Sequence, residues 1–191
     1  IYVEMNDVDG YFAFAQKSGI ETDTGSVARD SLSFVAAERL HMTSSSRDAI
    51  IGSWKDYLQK FPRGAYRPNA LYYLSDTYVA SGQTENAITT LKELSDMGYN
   101  SFTVRGLERL APLAFHQKRY NDAADAYKKL ASASVNPQTA GNAWGGYLRS
   151  IKAADPGNSN AIMSAADDIL AAPGVPANVV REAKFAKAHI L

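Results

Sequence analysis

A chain of 191 residues in which 20 Lys and Arg balance 20 Asp and Glu, with 46% hydrophobic residues, has the composition of a folded globular chain rather than a disordered one. The cancelled charge, with no basic cluster, argues against a nucleic-acid partner, and no apolar run approaches the ~18 residues that would span a bilayer. Cysteine is absent, which removes disulfides, thiolate nucleophiles and Cys-ligated metals.

A packing position returns along the chain at Tyr11, Ile50, Ala87, Ala123 and Ala161, at separations of 39, 37, 36 and 38 residues. Ala15, Trp54, Leu91, Tyr127 and Ala165 follow it four residues later. A period of this size means a stacked array of small units, none of which can bury its apolar face alone. In chain order, Tyr2 to Gln16 reads as a helix that has lost its partner, with Ile1, Tyr2 and Met5 as the end of a truncated element, so the chain is read as a fragment of a longer array. Asp7-x-Asp9-Gly10 has the look of a calcium loop, but Met5 and Gln16 stand at two ligand positions, which excludes it. Ser18 to Ser31, rich in Ser, Thr, Asp and Gly, predicts a loop.

The helix pairs follow. Phe34, Ala37 and His41 mark a first helix, the Thr43 to Ser46 stretch a turn, and Ile50, Trp54, Tyr57 and Leu58 a second helix that ends at Pro62 and Gly64. Pro68 suits the first turn of the next helix, which carries Leu71, Leu74 and Tyr78 and stops at Gly82. Thr84 is the expected N-cap of a helix bearing Ala87, Ile88, Leu91 and Leu94. Leu107, Leu110 and Ala114 precede a turn near Lys118, then Ala123, Tyr127 and Leu130. Pro112 lies within that first helix and predicts a kink or broken turn between Glu108 and Pro112. Trp144, Tyr147, Leu148 and Ile151 precede the turn Asp155-Pro156-Gly157-Asn158, and Ala161, Ala165 and Leu170 follow. Val179 to Leu191 reads as a final unpartnered helix. The segments are therefore 1–17 (partial repeat), 18–31 (loop), 32–66, 67–100 and 101–136 (repeats), 137–175 (divergent repeat) and 176–191 (partial repeat).

Leu71-x-x-Leu74-Ser75-x-x-Tyr78 followed by Ala87-x-x-x-Leu91 resembles the tetratricopeptide repeat (TPR). Ile50-x-x-x-Trp54 with Pro62, Leu110 with Ala123 and Tyr127, and Ala161 with Pro173 carry the same likeness, although Ala165 stands where an aromatic is usual. The tract from Tyr57 to Tyr66 running into Asn69 to Leu74 is similar to multi-repeat envelope proteins of Bacteroides-type bacteria. So are Ala36 to Leu40 and Arg181-Glu182-Ala183. The resemblance implies an all-α fold, a right-handed superhelical solenoid of antiparallel helix pairs. It also implies a periplasmic or outer-membrane-associated place, with a cytoplasmic one as the alternative.

Such arrays bind along the inner surface, which the first helix of each pair lines. The candidate partner-binding residues are Val35, Arg39 and Met42, then Tyr72, Asp76 and Val79, then Arg105, Glu108, Arg109, Phe115 and His116, and Arg149. Mixed aromatic and charged side chains suit an extended or helical peptide. Arg105 and Arg109 resemble one part of the clamp that the family uses for a peptide's terminal carboxylate, but Val35 and Tyr73 replace the Lys and Asn it needs. His41 is read as a packing residue, and His116 and His189 share no ligand spacing with carboxylates. No phosphate loop, nucleophile elbow or paired-carboxylate motif is present. The reading is a non-catalytic protein–protein interaction scaffold without cofactor or metal and without direct membrane insertion. One alternative is a carbohydrate or peptidoglycan module stacking sugars on Tyr72, Phe115 and Trp144. Another is self-association through an exposed terminal stripe of Val179, Val180, Phe185, Ile190 and Leu191.

Overall fold

A computed structural model describes residues 2, 5, 7–20 and 26–189. Among these, every regular element is an α-helix: α1 (Val8–Lys17), α2 (Ser26–Thr43), α3 (Arg47–Lys60), α4 (Arg67–Ala80), α5 (Thr84–Asp96), α6 (Thr103–His116), α7 (Tyr120–Ala133), α8 (Pro137–Ala154), α9 (Ser159–Ala171) and α10 (Ala177–Ala188). Among the described residues, no helix is long and apolar enough to cross a membrane. The chain divides into two compact units, Ile1–Leu94 and Ser95–Leu191.

The first unit is built on aromatic rings. Phe34 of α2 stacks on Tyr66 at 4.5 Å and lies 5.6 Å from Trp54 of α3. Trp54 in turn stacks on Tyr73 of α4 at 5.6 Å. Phe34, Trp54 and Tyr57 are nearly fully buried, so these large rings are a main part of the apolar packing between α2, α3 and α4. Helix α1 joins through Val8 and Phe12, which pack on Ala36, and through the Arg29 guanidinium 4.6 Å above the Phe12 ring. Asp9 closes this contact with ion pairs to Lys60 (2.9 Å) and Arg29 (3.5 Å). Helix α5 is tied to α4 by the pair Arg67–Glu93.

The polar stretch before Phe34 departs from expectation. Helix α2 begins at Ser26, so 26–31, read as loop, is helical; residues 21–25 lie outside the described residues. The reason is Asp30, a buried carboxylate that accepts the Tyr57 hydroxyl at 2.5 Å and the Ala65 backbone N–H at 2.7 Å. A carboxylate in the core is invisible to hydrophobic periodicity, yet here it binds the first turns of α2 to the end of α3 and to the connector into α4. Gly64 is part of the same lock. A Cβ there would stand 2.8 Å from Asp30 Oδ1, from the Tyr57 hydroxyl and from the Phe61 Cβ.

At the amino end, Tyr2 and Met5 sit in turns, and the helix starts only at Val8, after Asp7 has capped it by accepting the Gly10 N–H at 2.8 Å. Ile1 lies outside the described residues. Further on, Pro68 occupies the first turn of α4, and Gly82 takes the left-handed conformation, φ 72°, just beyond its end. Thr84 is the first residue of α5 rather than its cap.

The second unit uses small residues. Ala111, Ala114, Ala123, Ala126, Ala143, Ala165 and Ala166 are buried, and the helix axes approach closely. Gly146 of α8 lies against the ring of Tyr127 from α7, where a Cβ would stand 2.6 Å from two ring carbons. Gly141 is covered in the same way by the Pro176 ring at the head of α10. Lys118 turns the chain between α6 and α7 with φ 59°.

Helix α6 is continuous through Pro112, so of the kink or broken turn expected there the break does not occur. Leu107, Leu110, Ala111 and Ala114 are buried on both sides of the proline. Each buried leucine contributes ~2 kcal/mol, which together outweighs the single hydrogen bond that a proline removes. In α9 the packing register slips by one residue. Ala161 is half-buried while Ile162, Ala165, Ala166 and Ile169 form the inner face, and Leu170 points outward.

Candidate functional site

In the first unit, Trp54 positions the exposed side of two first helices from beneath. Its Nε1–H donates to His41 Nδ1 at 3.2 Å, and His41 lies 5.3 Å from Tyr73. Helices α2 and α4 are thereby held side by side, and His41 has the packing role its place in the repeat predicts. Tyr73 is committed to the same cluster.

Above that cluster, Val35, Arg39 and Met42 follow one another at four and three residues on α2, and Tyr72, Asp76 and Val79 do so on α4, so each set shares one helical face. Their neighbours Phe34, Ala36, Ala37, Leu71, Leu74 and Ser75 are buried, which turns the two sets outward. Met42 is 74% exposed, Val35 47% and Val79 43%. Arg39 is also exposed, while Tyr72 and Asp76 are half-buried, Tyr72 with its ring edge-on to Tyr73 at 6.0 Å. A pocket of about 460 Å³ opens beside this face between His41, Ser44 and Ile50 on one side and Asp76, Thr77 and Ala80 on the other. Exposed aliphatic side chains on two adjacent helices, edged by Arg39 and Asp76, can take up the apolar face of a peptide and fix its direction by charge.

In the second unit, Arg105 and Glu108 are exposed on α6, Arg109 is half-buried, and His116 is exposed at the end of the helix. Phe115 is packed edge-on against Tyr120 of α7 at 5.3 Å. It therefore belongs to the α6–α7 turn and not to a face with Arg105. On α8, Arg149 is exposed, with a guanidinium nitrogen 3.2 Å from where a Gly145 Cβ would stand, and Val179 of α10 is 3.8 Å from the same point. Arg149 thus lies at the seam of α8 and α10. Burial raises the pKa of the Tyr127 phenol, and the Arg149 charge opposes that rise, which places it near the α7 ring as well.

The residues of the two alternative surfaces are placed as follows. Trp144 is only 8% exposed and packs on Tyr147 at 6.0 Å, so it presents no face to a sugar. Of the expected terminal stripe, Val179 is buried toward Gly145, Val180 is half-buried, and Phe185 is 63% exposed with His189 against its ring. Ile190 and Leu191 lie outside the described residues.

The second helices of this unit carry a different kind of polar group. Lys128 of α7 pairs with Asp168 of α9 at 2.6 Å, and the Tyr147 hydroxyl donates to the same carboxylate at 3.0 Å. Burial first, then that hydrogen bond, pushes the Tyr147 phenol up, and the bond to Asp168 raises the pKa of Lys128. These groups bind α7, α8 and α9 to one another. No group of His, Asp and Glu able to hold a metal ion occurs among the described residues.

Against solved structures, the chain matches a variant of a Podosopora anserina kinesin light chain with nearly identical TPR-like repeats. The match covers 98% of this chain and 90% of that one at TM-score 0.52 and 11% identity. The fold is TPR-like. A MamA RS-1 double mutant matches at TM-score 0.47 and 15% identity over 87% of this chain and 95% of that one. No family model matches the sequence, and no curated protein matches it. The all-α TPR-like solenoid class implied by the resemblance is therefore the observed one.

Proposed function

We propose that this chain is a non-catalytic protein–protein interaction scaffold of the TPR family, and that the outward faces of α2 and α4 bind a peptide or partner protein. The observation that carries the reading is the pair of adjacent first helices, joined through His41 and Tyr73, that expose Val35, Met42 and Val79 over a rigid aromatic base. Aliphatic side chains left in water beside a fixed core are what a partner's apolar stripe can cover. The TPR-like fold supports a binding role, since stacked helix pairs form extended surfaces suited to it. The candidates on α6 and α8 lie in the second unit and form a separate proposed binding surface. A place in the cell envelope of a Bacteroides-type bacterium rests on the resemblance carried by the tract from Tyr57 to Tyr66 running into Asn69 to Leu74, by Ala36 to Leu40 and by Arg181-Glu182-Ala183.

The test is chemical cross-linking and affinity capture from envelope extracts with the chain and with a Val35→Glu/Met42→Glu double variant as baits. The expected result is a reproducible partner captured by the parent chain and lost from the variant, while both remain helical by circular dichroism. Equal capture by both baits would refute the assignment to this face.

A further inference from the structure

The second unit sorts its charges by helix. The first helices α6, α8 and α10 carry Arg105, Arg109, Arg149, Lys152, Arg181 and Lys184 against only Glu108 and Glu182, with Lys187 already paired to Asp167. Helix α8 has no acidic residue in its 18 positions. The second helices α7 and α9 show the reverse, with Asp122, Asp125, Asp167 and Asp168 against Lys128 and Lys129. The acidic side chains are moreover used up internally: Asp168 by Lys128, Asp125 by Lys129, Asp122 by Arg119 and Asp167 by Lys187. Among the described residues, no ion pair holds Arg105, Arg149, Lys152, Arg181 or Lys184.

A zero net charge for the whole chain therefore conceals one helix layer that is strongly cationic. Like charges gathered without counter-charges raise the energy of the free protein and lower that of a complex with an anion. We infer that the first-helix surface of the second unit, carried by α6, α8 and α10, binds an acidic segment of a partner protein through its side-chain carboxylates. Nucleic acid fits less well on α8, because Trp144 and Tyr147 are buried and that helix offers no ring on which a base could stack. The cations reside on successive helices rather than at one point, so the match is to carboxylates repeated along a chain and not to a single terminal carboxylate. The inference rests on the scaffold reading, but its surface is separate from the apolar face of α2 and α4.

The test is titration of the chain with an acetylated, amidated peptide of alternating Glu and Ala, followed by fluorescence anisotropy. The Gln–Ala peptide, an oligonucleotide of equal charge and anionic vesicles serve as comparisons. The expected result is binding of the Glu peptide only, weakened at least roughly tenfold when NaCl rises from about 50 to about 300 mM. A triple variant, Arg105→Gln, Arg149→Gln and Lys152→Gln, should weaken binding at least roughly fivefold, whereas Lys17→Gln with Lys55→Gln should not change it. The Val35→Glu/Met42→Glu variant should also leave it unchanged, so this inference and the proposed partner face fail independently. Equal binding of the Gln peptide, tighter binding of the oligonucleotide or the vesicles, or an unaffected triple variant would overturn it.

Discussion

The two units solve one packing problem with opposite materials. In the first, Phe34, Trp54, Tyr57, Tyr66 and Tyr73 fill the space between helices, and the buried Asp30 ties the ends together. In the second, alanines and the glycines of α8 let the backbones approach until Tyr127 rests on Gly146. Their outer faces differ in the same sense. The charges of α2 and α4 balance, with Arg29, Arg39 and Arg67 against Asp30, Glu38 and Asp76, and the exposed side chains between them are aliphatic. Those of α6, α8 and α10 are mainly cationic. A single repeat grammar thus supports two surface chemistries, because the periodic positions set only the packing.

The contrast is most easily broken at Asp30. Asp30→Ala strips the acceptor from the buried Tyr57 hydroxyl and the Ala65 N–H, and is expected to destabilise the first unit by ~3 kcal/mol, read from the urea midpoint. Burial, then the hydrogen bond to Asp30, drives the Tyr57 pKa far above the ordinary tyrosine value, so that phenol should remain protonated through alkaline titration in the parent chain. In the second unit, Gly146→Ala should cost ~2 kcal/mol by driving a methyl into the Tyr127 ring, and Tyr127→Ala in the same chain should remove much of that penalty. An additive double variant would show that the close approach is not the cause.

A gain is expected at Pro112→Ala. Restoring a backbone N–H inside α6 should stabilise the second unit by ~1–2 kcal/mol, measured as a rise in melting temperature. The smallest effect belongs to Asp9, whose hydrogen bond and charge pairing with Lys60 lower its carboxyl pKa. Its contribution is present above the ordinary Asp pKa of ~4 and is lost as pH falls through the lowered folded value. Because the pair is exposed, Asp9→Asn should cost less than ~1 kcal/mol at neutral pH, and nothing once both states are protonated.

Most of the helices were legible because their cores are apolar and periodic: Ala87 with Leu91 and Ile50 with Trp54 announce their own packing. The turn residues Gly82 and Lys118 sit where the pattern placed a turn, and both take left-handed backbone angles. What escaped was polar or tertiary. Ser26 to Ser31 reads as a loop because its anchor is a carboxylate. Pro112 reads as a break because its neighbours' burial cannot be seen locally. Ala161 reads as the recurring position, although Ile162 takes the inner place. At the candidate site, the outward faces of α2 and α4 follow from helical spacing, but the burial of Trp144 does not, since an aromatic ring gives no sequence sign of whether it faces a turn, the core or a groove. The cations Lys152, Arg181 and Lys184 were missed by counting charge over the whole chain, and a count helix by helix would have found them.

The claim that the two units bear different chemistries on their first helices is tested most directly by mapping amide chemical-shift changes as the end-blocked Glu–Ala peptide is titrated into the chain. The account predicts changes gathered on α6, α8 and α10 that fade as salt is raised. Changes centred on α2 and α4, on the second helices α7 and α9, or spread evenly over both units would contradict it.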